Sequence, residues 1–328
     1  MPAARAETMD HLPLVSVCVP TFNRADYLCQ CLASVRAQSY RCIEVVVSDN
    51  CSTDGTRAML AAMPDLAVVL QERNLGMVGN WNAVVGRARG ELVVVLSDDD
   101  ILLPTFIEAM VQALRDPEVE FAWCPVVIID HEGKARGTTA AGPSSESGRS
   151  FVAATLAQRR MPYPSAIAFR REAVSEIGGF ADIGNQADVA FRIALAERRR
   201  ASRVVCHPLA LVEYRVHAAS LSDDRLRRID GRLNFLVWLI DRYGPGSRAG
   251  RMALVDLLQM RAQGVAIFAR AQQCLDRPGG GWFGARFTML ARGARVRRAV
   301  VLAAFPLLAL SLITLHASNR LFRKRHEL

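Results

Sequence analysis

The chain has 328 residues, of which 51% are hydrophobic and 22% charged. That length and balance exclude a disordered polymer and allow one large domain with an appendage, or two domains. The formal net charge of +9 points to anionic partners (nucleic acid, anionic lipid or phosphorylated substrates), and the location of the basic residues decides among them.

The N-terminal stretch MPAARAETMDHLP lacks the apolar run of a secretory signal, so a cytoplasmic protein is expected. The eight cysteines form no paired CxxC motifs, which fits a reducing compartment and small core residues rather than a zinc site. Residues 14–19 (LVSVCV) predict a strand stopped by Pro20. Residues 25–37 predict a helix with Leu28, Leu32 and Val35 on one face. Strands are then expected at 43–48, 66–70 and 91–96, alternating with helices at 56–63 and 78–89. Apolar strands alternating with helices imply a mostly parallel sheet covered on both faces, and such sheets bind ligands at the carboxyl ends of their strands. Polar clusters lie at those ends: PTFNR, DNCSTDGT, ERNLG and SDDD. Farther along, a helix after Pro104, a strand near 120–129, a mobile loop over 130–150, a strand at 165–169 and a helix at 186–198 are expected. From about Asp224 the chain turns helical, apolar and Arg-rich, and no internal repeat is visible.

Asp98, Asp99 and Asp100 follow a buried strand at the ligand edge. Three adjacent carboxylates repel one another unless a cation sits among them. Mg²⁺ and Mn²⁺ take oxygen ligands, commonly one or two carboxylates plus substrate phosphates, so a divalent metal bridging to a diphosphate is the expected partner; the alternative is a solvated turn capping the next helix. Neither GxxxxGK[ST] nor GxGxxG is present, which leaves phosphates to metal and side chains rather than to a glycine cradle.

The stretches VSVCVPTFNRADYLCQCLASVRAQSY, EVVVSDNCSTDGT, NLGMVGNWNAVVGRARGELVVVLSDDD and GGFADIGNQADVAFRIALA resemble the successive motifs of family 2 glycosyltransferases, over roughly residues 14–222. The resemblance implies a GT-A fold, a nucleotide-diphospho-sugar donor, a divalent metal and inversion at the anomeric carbon. It places Pro20, Thr21 and Phe22 around the nucleotide base, Asp49 in base recognition, Asn82 along the cleft, Asp98 on the ribose with Asp99 beside it, and Asp100 on the metal. Asp188 matches the catalytic base, although the acidic neighbour usual in that motif is here Ala187, and Asp182 is the rival position. EYRVHAASLS, residues 213–222, resembles a C-terminal motif that brings Arg215 toward the diphosphate and His217 toward the metal.

The late basic residues flank an apolar run. Arg292, Arg295, Arg297 and Arg298 precede residues 299–319; Arg320, Arg323, Lys324 and Arg325 follow. At roughly 1.5 Å per residue the uncharged run would just cross a bilayer core. Pro306 and the positive charge on both flanks favour instead a helix lying on anionic lipid; packing on protein or on a dimer partner is the alternative. With its basic residues among apolar rather than base-stacking ones, the chain is not expected to bind nucleic acid.

The expected organisation is a flexible tail at 1–12, a GT-A domain at 13–223 (nucleotide half about 13–103, acceptor half about 104–223) and a basic helical region at 224–328. The expected activity is transfer of a sugar from a nucleotide-diphospho-sugar to a saccharide or lipid-linked saccharide of bacterial surface polysaccharide synthesis. The enzyme would sit peripherally on the inner face of the cell membrane, with homo-oligomerisation open. The rivals are a catalytically silent scaffold of the same fold and a sugar-phosphate nucleotidyltransferase.

Overall fold

A computed structural model describes residues 12–217 and 225–257. The first half alternates as its apolar runs require: β1 (Val15–Thr21), α1 (Ala25–Arg36), β2 (Ile43–Asp49), α2 (Thr56–Ala61), β3 (Ala67–Leu70), α3 (Gly76–Val85) and β4 (Leu92–Val95). The second half is more finely divided. It comprises β5 (Ile101–Leu102), α4 (Phe106–Ala113), β6 (Val119–Trp123), β7 (Val126–Ile129), β8 (Ala135–Thr138), β9 (Ser145–Ser147), α5 (Gly148–Leu156), β10 (Ile167–Arg170), α6 (Glu172–Ile177), α7 (Ala187–Ala196), β11 (Arg203–Cys206), β12 (Val212–Arg215) and α8 (Arg225–Tyr243).

Among the described residues the strands form two sheets. The larger runs β3-β2-β1-β4-β10-β6-β11-β9 and the smaller β5-β12-β7-β8. The pairs β1–β2, β1–β4, β2–β3 and β6–β11 are parallel, whereas β10 is antiparallel to both β4 and β6. In the order 3-2-1-4 the chain reverses its direction of travel between β1 and β4, which opens a crevice outside their carboxyl ends. The core packs Val15, Val17, Val19, Leu92, Val94 and Leu96 against Leu28, Leu32, Phe106 and Met110, all buried.

Three local expectations change. β1 runs through Pro20 to Thr21. The missing N–H is tolerated because pairing with β4 has ended at Cys18–Val95. The apolar run at 120–129 is two strands in different sheets, broken at Cys124–Pro125, where the proline removes a ladder donor. Residues 130–150 are not one loop but carry β8 and β9, each paired into a sheet.

The chain divides into a first compact unit through Trp238 and a second beginning at Leu239. No described helix is long and apolar enough to cross a membrane. The tail at 1–11, residues 218–224 of the C-terminal motif and the apolar, basic-flanked segment at 299–319 lie outside the described residues.

Candidate functional site

The loops after β1 and β4 meet where the strand order reverses. Thr21 Oγ1 donates to Asp98 Oδ2 at 2.7 Å, and the backbone N–H of Phe22 points at the same oxygen at 3.4 Å. Asp98, Asp99 and Asp100 are all buried. Among the described residues a protein cation meets two of them. Arg24, at the start of α1, places Nη1 3.0 Å from Asp98 Oδ1 and 2.6 Å from Asp99 Oδ2. Asp100 is held differently: Ser165 Oγ donates to Oδ2 at 2.5 Å and the backbone N–H of Arg215 to Oδ1 at 2.9 Å. His217 Nε2 lies 3.0 Å from Asp99 Oδ2.

Burial dominates the electrostatics. It pushes the Asp98 carboxyl up to about 6; the Arg24 charge and the Thr21 hydroxyl oppose the rise, and the Asp99 charge adds to it. Asp100 is pushed well above the usual carboxylate range by burial and by Asp99, against the hydrogen bonds from Ser165 and Arg215. Both positions would therefore gain from a nearby positive charge. No cluster of three His, Cys, Asp or Glu stands ready to hold a metal among the described residues. The donor set is nevertheless carboxylate oxygen with one imidazole. That suits a hard cation arriving with a diphosphate, which takes one or two protein ligands and completes its shell from phosphate and water.

One face of α1 supports this site. Arg24, Tyr27 and Gln30 recur every three residues, so they line one side of the helix. The Tyr27 ring lies 5.0 Å from that of His217 and 4.9 Å from the Arg215 guanidinium carbon. Gln30 Oε1 accepts from Arg215 Nη2 at 3.0 Å. Arg215, expected to reach toward diphosphate, is itself buried; Nε donates to the Asp99 carbonyl at 3.0 Å, and Nη1 to the carbonyls of Asp130 and His131 at 3.2 and 3.3 Å. Its guanidinium ties the arm of β12 to the acidic loop.

The second loop is joined to the first by Asn23 N–H donating to Ser52 Oγ and by Thr53 N–H donating to Asn23 Oδ1, each at 2.8 Å. Asp49 ends β2 fully buried. Its carboxylate accepts from Arg57 Nε at 2.7 Å and from the Ser52 N–H at 3.2 Å. Pro20 is buried opposite Ser48 and Thr21 opposite Asp49, while Phe22 is 41% exposed, a large aromatic surface at the crevice edge. The third loop joins through Asn50, which donates to Asn74 Oδ1 at 3.0 Å and accepts from the Leu75 N–H at 2.7 Å.

Asn82, expected along the cleft, commits its amide to the backbone of Phe180, donating to the carbonyl at 2.9 Å and accepting from the N–H at 2.8 Å. Asp188 stands in the first turn of α7, where a carboxylate is favoured by the helix dipole, and accepts from Arg192 Nη1 at 2.6 Å. Ala187 is fully buried, so an acidic side chain there would lie out of solvent; Asp182 is exposed. Sequence reasoning missed Arg24, Tyr27, Gln30 and Ser165. The first three lie on a helix face that reads as solvated in the sequence alone, and nothing local marked Ser165.

The family model described as "Glycosyl transferase family 2" matches residues 16–178. An uncharacterized protein of Mycobacterium tuberculosis is 30% identical over 261 residues, covering 74% of this chain and 81% of that protein. The succinoglycan biosynthesis protein ExoO of Rhizobium meliloti is 33% identical over 129 residues, and the match spans 39% of this chain and 37% of ExoO. Among solved structures, the Pyrobaculum calidifontis mannosyltransferase PcManGT, in complex with GDP-Man and Mn²⁺, superposes with a TM-score of 0.53 at 22% identity over 83% of each chain.

Proposed function

The chain belongs to glycosyl transferase family 2 and has its GT-A fold, and from that premise we propose that it moves one sugar from a nucleotide-diphospho-sugar to a hydroxyl acceptor with inversion. The observation that carries the proposal is the buried acidic triplet at the crevice between β1 and β4, bracketed by Arg24, the Arg215 N–H and His217.

In this reading Phe22 offers its exposed face to the nucleotide base, Pro20 and Thr21 shape the pocket around it, and Asp49 recognises its edge. Arg57 holds Asp49 in place and Thr21 holds Asp98, which meets the ribose. Asp100 and His217, with Asp99 beside them, would hold a divalent cation, Mn²⁺ or Mg²⁺, which would supply positive charge to the departing diphosphate. Asp188 accepts the proton of the acceptor hydroxyl. That oxygen attacks the anomeric carbon as the bond to the diphosphate breaks, and nucleoside diphosphate leaves. Arg192 fixes the carboxylate that receives the proton. Arg215 positions the arm that carries His217.

The acceptor is a saccharide, most simply a lipid-linked one built for surface polysaccharide; the similarity to a succinoglycan biosynthesis protein supports this class. The transferase domain in this reading is 13–223, and the basic region beyond it would attach the enzyme to the cytoplasmic face of an anionic membrane through residues 299–319 and their flanking arginines and lysine. Incubation with a panel of UDP-, GDP- and other nucleotide sugars, with Mn²⁺, Mg²⁺ or chelator, tests the function. Release of free nucleoside diphosphate from at least one donor is expected. Silence with every donor and metal would favour a non-catalytic scaffold, and release of pyrophosphate on offering nucleoside triphosphate and sugar phosphate would favour a nucleotidyltransferase.

A further inference from the structure

We infer that Asn82 is a positioning residue that acts through the loop at 178–186 to set the place of Asp188, an inference that rests on Asp188 being the proton acceptor.

Asn82 lies in α3, the helix that follows the third nucleotide-side loop. Its side-chain amide pairs with both backbone groups of Phe180, 98 residues away, as a neighbouring strand would. The local sequence makes this possible. Gly178 and Gly179 adopt φ values of +86° and +78°, a conformation that L side chains rarely take. A Cβ at Gly179 would stand 2.6 Å from Asn82 Oδ1, so the pairing also requires the missing side chain.

The contact continues through rings. Phe180 is buried, with Trp81 of α3 edge-on at 5.2 Å and Phe191 of α7 stacked at 4.2 Å. Phe191 meets Phe169 of β10 edge-on at 5.1 Å. Phe191 lies three residues beyond Asp188, on the neighbouring turn of the same helix. The other end of the loop is confined as well: a Cβ at Gly231 of α8 would collide with Asn185 Oδ1. The loop that leads into α7 is thus held at Phe180 by α3 and packed against α8 at Asn185. Asn74, just before α3, bonds in turn to Asn50 after β2. Asn82 therefore connects the nucleotide-side loops to the helix bearing Asp188, without itself being directed at the nucleotide.

The test is a double-mutant cycle in the full-length protein with the donor found active. Asn82→Ala should lower kcat for transfer on the order of 10²-fold, the cost of an ångström-scale misplacement of a reacting group. Calorimetric affinity for the nucleoside diphosphate with Mn²⁺ should stay within about twofold, since no nucleotide contact is lost. Asn82→Asp, which keeps the acceptor for the Phe180 N–H, should fall between wild type and Asn82→Ala. In an Asp188→Asn background, Asn82→Ala should cost nothing further, because the group it positions is already disabled. Unchanged kcat in Asn82→Ala, a parallel loss of nucleotide affinity, or a full additional loss in the Asp188→Asn background would overturn the inference. If Asp188→Asn alone transfers at the wild-type rate, the base assignment fails first and the inference falls with it.

Discussion

Arg24 and Asp99 form a 2.6 Å ion pair, and the same guanidinium nitrogen reaches Asp98 at 3.0 Å. Both carboxylates are buried, so Arg24 supplies positive charge that a run of three aspartates requires. Removing one partner of such a pair costs roughly 3 kcal/mol, because the other charge is left buried and alone. Arg24→Ala should therefore melt well below wild type in chelator and recover part of the difference when Mn²⁺ is added. Equal melting in chelator would show that the pair contributes nothing.

Asp188→Asn preserves size and the helix N-terminal position but cannot accept the proton. Nucleotide affinity should persist while transfer falls by roughly two to four orders of magnitude. Should Asp182→Asn abolish transfer instead, with Asp188→Asn active, the exposed aspartate before α7 is the base.

Far from the crevice, Glu44 at the start of β2 ties three segments together. Its carboxylate accepts from Ser16 Oγ at 2.5 Å, from the Arg89 N–H at 2.6 Å, from Arg89 Nε at 2.8 Å and from the Gly90 N–H at 3.0 Å. Burial pushes this carboxyl up, but the hydrogen bonds outweigh it and hold it below its ordinary 4.5. A depressed folded value means the stabilisation is complete above the unfolded value and is lost as the pH falls through the folded one. Glu44→Gln should thus cost about 1–3 kcal/mol at pH 7. The gap in melting temperature between the two proteins should narrow as the pH is lowered below 4.5. A gap that stays constant to pH 3 would contradict the assignment.

The alternating first half was legible because parallel strands covered on both faces read as near-continuous apolar runs, as at Val15–Val19, Val45–Val47 and Leu92–Val95. The second half was less so. FAWCPVVII is a single apolar run in composition, yet Pro125 splits it between two sheets. β10 enters the large sheet antiparallel between β4 and β6, a pairing that no local pattern encodes. In the site, the acidic triplet was visible as an anomaly of charge after a strand. Its partners were not, since Arg24 and Gln30 on α1 look like any solvated helix face until β12 is folded against them. Arg215 shows the converse: a basic residue read as a ligand contact is occupied by the backbone of its own protein.

The proposed membrane attachment rests on the segment at 299–319 and its eight flanking basic residues, each of which would contribute about 1 kcal/mol near an anionic surface. The full-length protein should co-sediment with phosphatidylglycerol vesicles at low salt and dissociate progressively as salt rises. Replacing Arg292, Arg295, Arg297 and Arg298 by Gln should shift that dissociation to lower salt. Indifference to vesicle charge would assign the segment to protein packing instead.

The most direct measurement of the central claim is calorimetric titration of wild type and Asp100→Asn with the nucleoside diphosphate of the active donor, with Mn²⁺ and then with chelator. Wild type should bind tightly only with the metal, and Asp100→Asn should lose that metal-dependent gain while its melting curve stays close to wild type. Equal affinities in the two proteins, or binding indifferent to chelator, would contradict a donor held through a cation at the acidic triplet.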